Sequence, residues 1–147
     1  MIESLKTLYE RDLKRLRDEL EAYPDESSLW LIKNEIKNSA GNLCLHLMGN
    51  LNHYIGAQIG GTDYVRDRPL EFSDKDVPRE QLTRQIDDTR KMIAEVLGSI
   101  SPEILAANHT EEYQGGANTN EFFLIHLYGH FNYHLGQINY HRRLIQD

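Results

Sequence analysis

Between Phe122 and His141 the chain runs FFLIHLYGHFNYHLGQINYH, twenty residues with no Asp, Glu, Lys or Arg and with four histidines. In a sequence that is 27% charged, a segment of that length without a charge predicts a helix buried on most sides, around which the rest must be arranged. Three of its histidines, His126, His130 and His134, recur at every fourth residue. On an α-helix four residues advance about 400°, so each ring stands one turn above the last and only about 40° around the axis. Residues so related have Cβ atoms about 6 Å apart, which lets two imidazoles reach one metal ion. All three cannot share an ion comfortably, because His126 and His134 lie about 12 Å apart along the axis at about 1.5 Å rise per residue. A further ligand must come from another segment.

The only other long uncharged stretch, Asn38 to Thr62, carries His46 and His53. Six of the seven histidines therefore fall in the two segments best suited to burial. Spacing alone leaves two readings open. The rings are either core imidazoles satisfied by Asn, Tyr and backbone groups, or ligands of a metal held between two helices.

Length and charge narrow the classes. A chain of 147 residues suits one domain, residues 1–147, with a single core. A formal charge of −7 and a pI near 5.5, with no basic run, argue against attraction to nucleic acid or to anionic lipid. The N-terminal MIESLKTLYERDLKRL is charged throughout and has no apolar signal core, and a single cysteine forbids an intramolecular disulfide. Both features suit the cytoplasm. The uncharged stretches are long enough to cross a bilayer, but their histidines, asparagines and glutamines speak against it.

In chain order, Ile2, Leu5, Leu8, Tyr9, Leu13, Leu16 and Leu20 recur at helical spacing and predict an amphipathic first helix ending near Pro24. Propensity does not decide whether Leu29 to Ile36 is a helical turn or irregular. Asn38 or Ser39 is placed to cap the second helix, which carries Leu43, Leu47, Leu51, Tyr54 and Ile55 and should stop at Gly60-Gly61. The connection from Gly60 to Val77, with Arg66-Asp67-Arg68-Pro69-Leu70-Glu71-Phe72, is long for a compact bundle and is a candidate functional loop or a solvated link anchored by Phe72. Pro78 suits the first position of a third helix with Leu82, Ile86, Ile93, Val96, Leu97 and Ile100 on one face, ended by Gly98 or Ser101-Pro102. Asn118 or Thr119 can cap the last helix, which runs to about Leu144 with Arg142 and Arg143 suited to its C-terminal dipole. Four long segments and no alternating pattern predict an all-α four-helix bundle.

Several known chemistries are absent. No glutamate has a histidine three residues on, which removes the usual di-iron carboxylate site, and there is no His-Glu-x-x-His. Cys44 is about 200° around the helix from His46 and reads as a small buried hydrophobe. No acidic residue lies near the histidine stripe in sequence, though a tertiary contact can supply one. Tyr128, Tyr133 and Tyr140 read as core aromatics.

His46 in LHLMGNLNHYIG, the loop RDRPLEF, and His130-Phe131-Asn132-Tyr133-His134-Leu135-Gly136-Gln137-Ile138 together resemble the DinB-like superfamily, which includes the YfiT-like metal-dependent hydrolases. The resemblance runs from about Trp30 to the C-terminus. It implies a four-helix bundle of the DinB/YfiT-like type, often dimeric, in which one histidine of the second helix and two of the fourth hold a divalent metal, zinc or nickel. Those positions are His46, His130 and His134. Many relatives have arginine where Leu135 stands, a departure that bears on local packing or substrate contact more than on ligation. Three neutral imidazoles leave a coordination position open for water or substrate. Asn50, one turn from His46, and Gln137, three residues from His134, are placed to hydrogen-bond a ligand ring or a bound substrate, and His53 and His126 are alternative ligands.

Some superfamily members are metal-dependent transferases of low-molecular-weight thiols, so the resemblance implies a small-molecule substrate, a thiol among them, activated at the metal. Hydrolysis by activated water is the related variant. A non-catalytic metal-binding protein, acting as a stress-response or interaction partner, is the alternative of a different class. Arg66 and Arg68 either pair with substrate carboxylates or are solvated loop charges. The two uncharged helices carry more apolar surface than one bundle core needs, which, with the resemblance, predicts a homodimer.

Overall fold

The computed structural model describes residues 1–146. Helix α1, Ile2–Glu21, buries Leu5, Tyr9, Leu13, Leu16 and Leu20, the stripe its periodicity marks, and closes one residue before Tyr23-Pro24. Ser27–Trp30 forms a 3₁₀ turn, and the indole of Trp30 lies where a Cβ on Gly41 would stand, at 2.6 Å. Only glycine at that position lets the turn pack on the start of the second helix.

Helix α2, Ala40–Leu51, starts at Ser39, whose hydroxyl accepts from Asn42 N–H at 3.2 Å. Nearly every residue in it is buried, as the missing charges require. It passes without a break into a π-helical segment, Asn52–Ile59, closed by Gly60 N–H donating to Ile55 C=O at 2.9 Å, and ends at Gly61 with φ +70°. The glycine pair marks the end correctly, while nothing in the local sequence marks the wider turn.

The long connection is ordered by a short helix, α3, Arg68–Ser73, capped by the Asp67 side chain and packed on α2. Helix α4, Arg79–Ser99, follows Pro78, which stands just before the first turn rather than within it. A five-residue helix, α5, Pro102–Ala106, and two antiparallel backbone bridges, Asn108 with Thr119 and Tyr113 with Gly116, lead to α6. Helix α6, Asn120–Ile145, is capped by Thr119 Oγ1 and runs unbroken for 26 residues.

The long helices pack α1 on α4, α4 on α2, α2 on α6 and α6 on α1, a ring of four around one core. This all-α bundle matches the expected class, and it sets α2 against α6. Across the α1–α6 seam Tyr9 Oη donates to Leu124 C=O at 3.2 Å, and Tyr128 Oη donates to the buried Asp12 carboxylate at 2.5 Å. His141 sits in the same seam, accepting from Tyr23 Oη at 2.6 Å and donating to Leu31 C=O at 2.8 Å, so for this ring the satisfied-imidazole reading is the right one. Tyr133 and Tyr140 are not core aromatics. They stand 65% and 62% exposed on the outer face of α6 because a 26-residue helix in a four-membered ring buries only the face turned to its neighbours. Among the described residues no helix is long and apolar enough to cross a membrane.

Candidate metal centre

Where α2 and α6 face one another, His46 comes from α2 and His130 and His134 from successive turns of α6. Each ring offers a nitrogen within 4.8 Å of the others. The Nε2 atoms of His46 and His130 are 3.2 Å apart. Two imidazoles bound tetrahedrally to one ion through bonds of about 2.0–2.1 Å have their nitrogens about 3.3 Å apart, so this pair already has ligand spacing.

The outward nitrogens decide what the inward ones can do. His46 Nδ1 is 3.0 Å from Glu71 Oε1, and a carboxylate can only accept, so the proton sits on Nδ1 and the Nε2 lone pair faces inward. His134 Nδ1 is likewise 2.7 Å from Gln137 Oε1, three residues on in the same helix. Glu71 is itself buried and held by Arg66, whose Nε and Nη2 donate to its two oxygens at 2.8 and 3.0 Å. Burial alone would push the Glu71 carboxyl up, but the hydrogen bonds from His46 and Arg66 outweigh it and hold it below the usual carboxylate range. The carboxylate reaches this place because Gly49 has no side chain, a Cβ there standing 1.9 Å from Glu71 Oε2. Phe72 covers the far face of His46 with ring centroids 5.0 Å apart.

Burial, reinforced by the neighbouring His134 and His46, pushes His130 down to about 4, and burial lowers His134 as well. Both rings are neutral at pH 7, with lone pairs free for a cation. His130 Nδ1 is buried without a hydrogen-bond partner among the described residues, which leaves this ring's tautomer free to follow whatever its Nε2 binds. Three neutral imidazoles with inward lone pairs fit a divalent transition metal, for which such nitrogen donors are well suited.

His53 and His126 stand apart from the cluster. His53 Nε2 is 3.3 Å from Glu111 Oε1, in a tie completed by Gln58. The His126 ring packs on Tyr113 at 4.2 Å between centroids. Asn50 is buried without a hydrogen bond from its carboxamide oxygen, and Gln137 makes the ring contact its spacing allowed. Arg66 is committed to Glu71 rather than free for a substrate, and Arg68 lies over the Phe72 ring at 5.6 Å. Leu135 packs into the core. Cys44 is fully buried in apolar surroundings that push its thiol up to about 12, as fits an inert core residue. Sequence reasoning missed Glu71 and its partner Gly49, since only the tertiary contact brings residue 71 to residue 46.

A cavity of about 330 Å³ opens beside the histidines. His46, Asn50 and Tyr54 line it from the second helix and its π extension, Glu111 and Tyr113 from the connection to α6, and His126 and His130 from α6. Other clefts of about 450–460 Å³ exist, but none has His46, His130 or His134 in its wall.

The family described as "Protein of unknown function (DUF1572)" matches residues 2–147. Among solved structures, a DinB-like protein from Bacillus cereus is similar with a TM-score of 0.67 at 16% sequence identity, over 92% of this chain and 86% of that one. At that identity the likeness speaks for the fold. No curated protein matches the sequence. The chain belongs to the DUF1572 family, which is a DinB-like family.

Proposed function

We propose that this DUF1572 protein is a metal-dependent enzyme in which His46, His130 and His134 hold one zinc or nickel ion and present an open coordination position to the cavity, where a low-molecular-weight thiol is activated for S-transfer. The observation that carries the reading is the three-imidazole cluster at the cavity, with two of its outward nitrogens fixed by acceptors. When bound, an ion held by three neutral imidazoles keeps a position open and stabilises a thiolate, the nucleophilic form, at neutral pH. The chain's own groups supply the rest. Glu71 and Gln137 orient His46 and His134, Arg66 holds Glu71 in its charged form, and burial keeps the rings from taking protons in the metal's place.

Thiol transfer is favoured over hydrolysis because the half-buried carboxylates near the cavity are both engaged, Glu71 by His46 and Arg66, Glu111 by His53 and Gln58. Neither is free to take a proton from water. A thiol needs less help, its ordinary pKa being about 8.5 against about 15.7 for water. The test is zinc- or nickel-loaded protein with a panel of small thiols and an aryl chloride, in which a carbon–sulfur bond forms, chloride leaves and the thiol proton goes to solvent. Turnover should vanish on chelation and return with metal. Metal retention with no turnover for any thiol would leave a non-catalytic metal-binding protein instead.

We further propose a homodimer formed through the outer face of α6, and we place the protein in the cytoplasm on its cysteine usage. Phe122, Ile125, Tyr133, Tyr140 and Leu144 are between 42% and 65% exposed along that helix. Gly129 and Gly136 lie among them with open space where a Cβ would be. A row of apolar side chains interleaved with glycines lets a second helix approach closely.

A further inference from the structure

We infer that the cavity beside the histidines takes a thiol carrying an amide group a few bonds from its sulfur, and that Asn50 is the residue that positions that amide. The inference rests on the thiol-activating reading above. The polar groups of the cavity wall divide by whether the protein already satisfies them. Arg66 is spent on both oxygens of Glu71, and Glu111 on His53 and Gln58. Arg68 is at the rim over the Phe72 ring. Asn50 differs from all of these. It is 7% exposed, it lines the cavity, and its carboxamide makes no hydrogen bond, with Oδ1 buried and unpartnered.

Buried amides without partners are rare in folded proteins because the lost hydration is not replaced, and each one asks for an explanation. A ligand that enters the cavity can supply the partner. Rotation about χ2 exchanges the two ends of a carboxamide, so Asn50 offers a donor and an acceptor to the same space, and the group that complements both is another amide. Its place fixes the spacing. Asn50 stands four residues from His46, one helical turn away with Cβ atoms about 6 Å apart, so an amide that reaches it lies a few bonds from an atom held between the histidine rings. The volume of about 330 Å³ is at the lower end of small-molecule pockets, about 300–1,000 Å³, which suits a small thiol amide.

The test uses zinc-loaded protein and two thiols of equal size, N-(2-mercaptoethyl)acetamide and 4-methylpentane-1-thiol, with dissociation constants measured by calorimetry for the wild type, Asn50→Leu and Asn50→Ala. Metal content and a thermal melt establish that each variant is folded and loaded, and Asn50→Ala carries the comparison if the leucine does not fit. The amide-over-alkyl preference of the wild type should fall by about tenfold in the variants, the factor lost with one good hydrogen bond. A merely structural role for Asn50 would move both constants together and leave their ratio unchanged. An unchanged ratio overturns the assignment of Asn50 while leaving thiol binding at the metal intact. Binding of neither thiol to loaded wild-type protein overturns both readings.

Discussion

Glu71 gives His46 its working tautomer, and Gly49 gives Glu71 the room to do so. Replacing Glu71 by glutamine keeps the shape but removes the charge that fixes the Nδ1 proton, so metal affinity should fall by about 10–100-fold with the bundle still folded. Gly49→Ala should do the same without touching either partner, because its Cβ would stand 1.9 Å from Oε2 and expel the carboxylate. Competition against a chromogenic chelator measures both; wild-type affinity in the two variants would remove Glu71 from the account. The histidines also make the metal-free protein sensitive to acid. Burial, then His134 and His46, push His130 down to about 4, and burial lowers His134 and His109. Each binds a proton less readily folded than unfolded, where the pKa is about 6.5, so stability is full above that value and falls as pH drops from about 6.5 towards 4. Urea midpoints of stripped protein at pH 7.5, 6 and 5 should decline in that order, and a flat series would contradict the burial of these rings. Much of this scale was legible in the sequence where it is local. His130, His134 and Gln137 are i, i+4 and i+7 on one helix, and their contacts follow from helical geometry. Glu71 was not legible, because it reaches His46 from 25 positions away through a turn and a short helix.

At the scale of elements, the second helix carries two jobs in sequence. Its α part, Ala40–Leu51, presents His46 and Asn50, and its π part, Asn52–Ile59, turns His53 towards Glu111 and carries Tyr54 to the cavity. π segments are costly and tend to persist where a site uses them. This one is seated against α4, where Gly60 meets Val96 so closely that a Cβ would lie 2.4 Å from Cγ2. Gly60→Ala should therefore destabilise the fold by about 1–3 kcal/mol through overpacking while leaving metal affinity unchanged. Chemical denaturation with a parallel metal titration checks this, and a stable variant with weakened metal binding would contradict it. Periodicity revealed the four long helices and their glycine and proline boundaries, since each buries one face. It could not show the π turn, whose residues are those of an ordinary buried helix. Nor could it show α3, which is stabilised by its Asp67 cap and its packing on α2 rather than by any pattern of its own.

For the whole molecule, the ring order of the bundle makes α2 and α6 neighbours, and only that pairing lets one histidine from each uncharged stretch meet the other. The same arrangement turns the exposed apolar row of α6 away from the core. Light scattering at micromolar concentration should give a dimer mass, and Tyr133→Lys with Ile125→Glu should halve it without loss of bound metal. A monomeric wild type would contradict the proposed interface. The claim on which the rest depends is that one ion is held by His46, His130 and His134. Elemental analysis of gently purified, unstripped protein tests it most directly, in wild type and in His46→Ala, His130→Ala, His134→Ala and His53→Ala, each verified as helical by circular dichroism. About one transition-metal ion per chain is predicted for wild type and for His53→Ala, with little or none in the other three. Unchanged metal content in the His130 and His134 variants, or loss in His53→Ala but not in His46→Ala, would contradict the site.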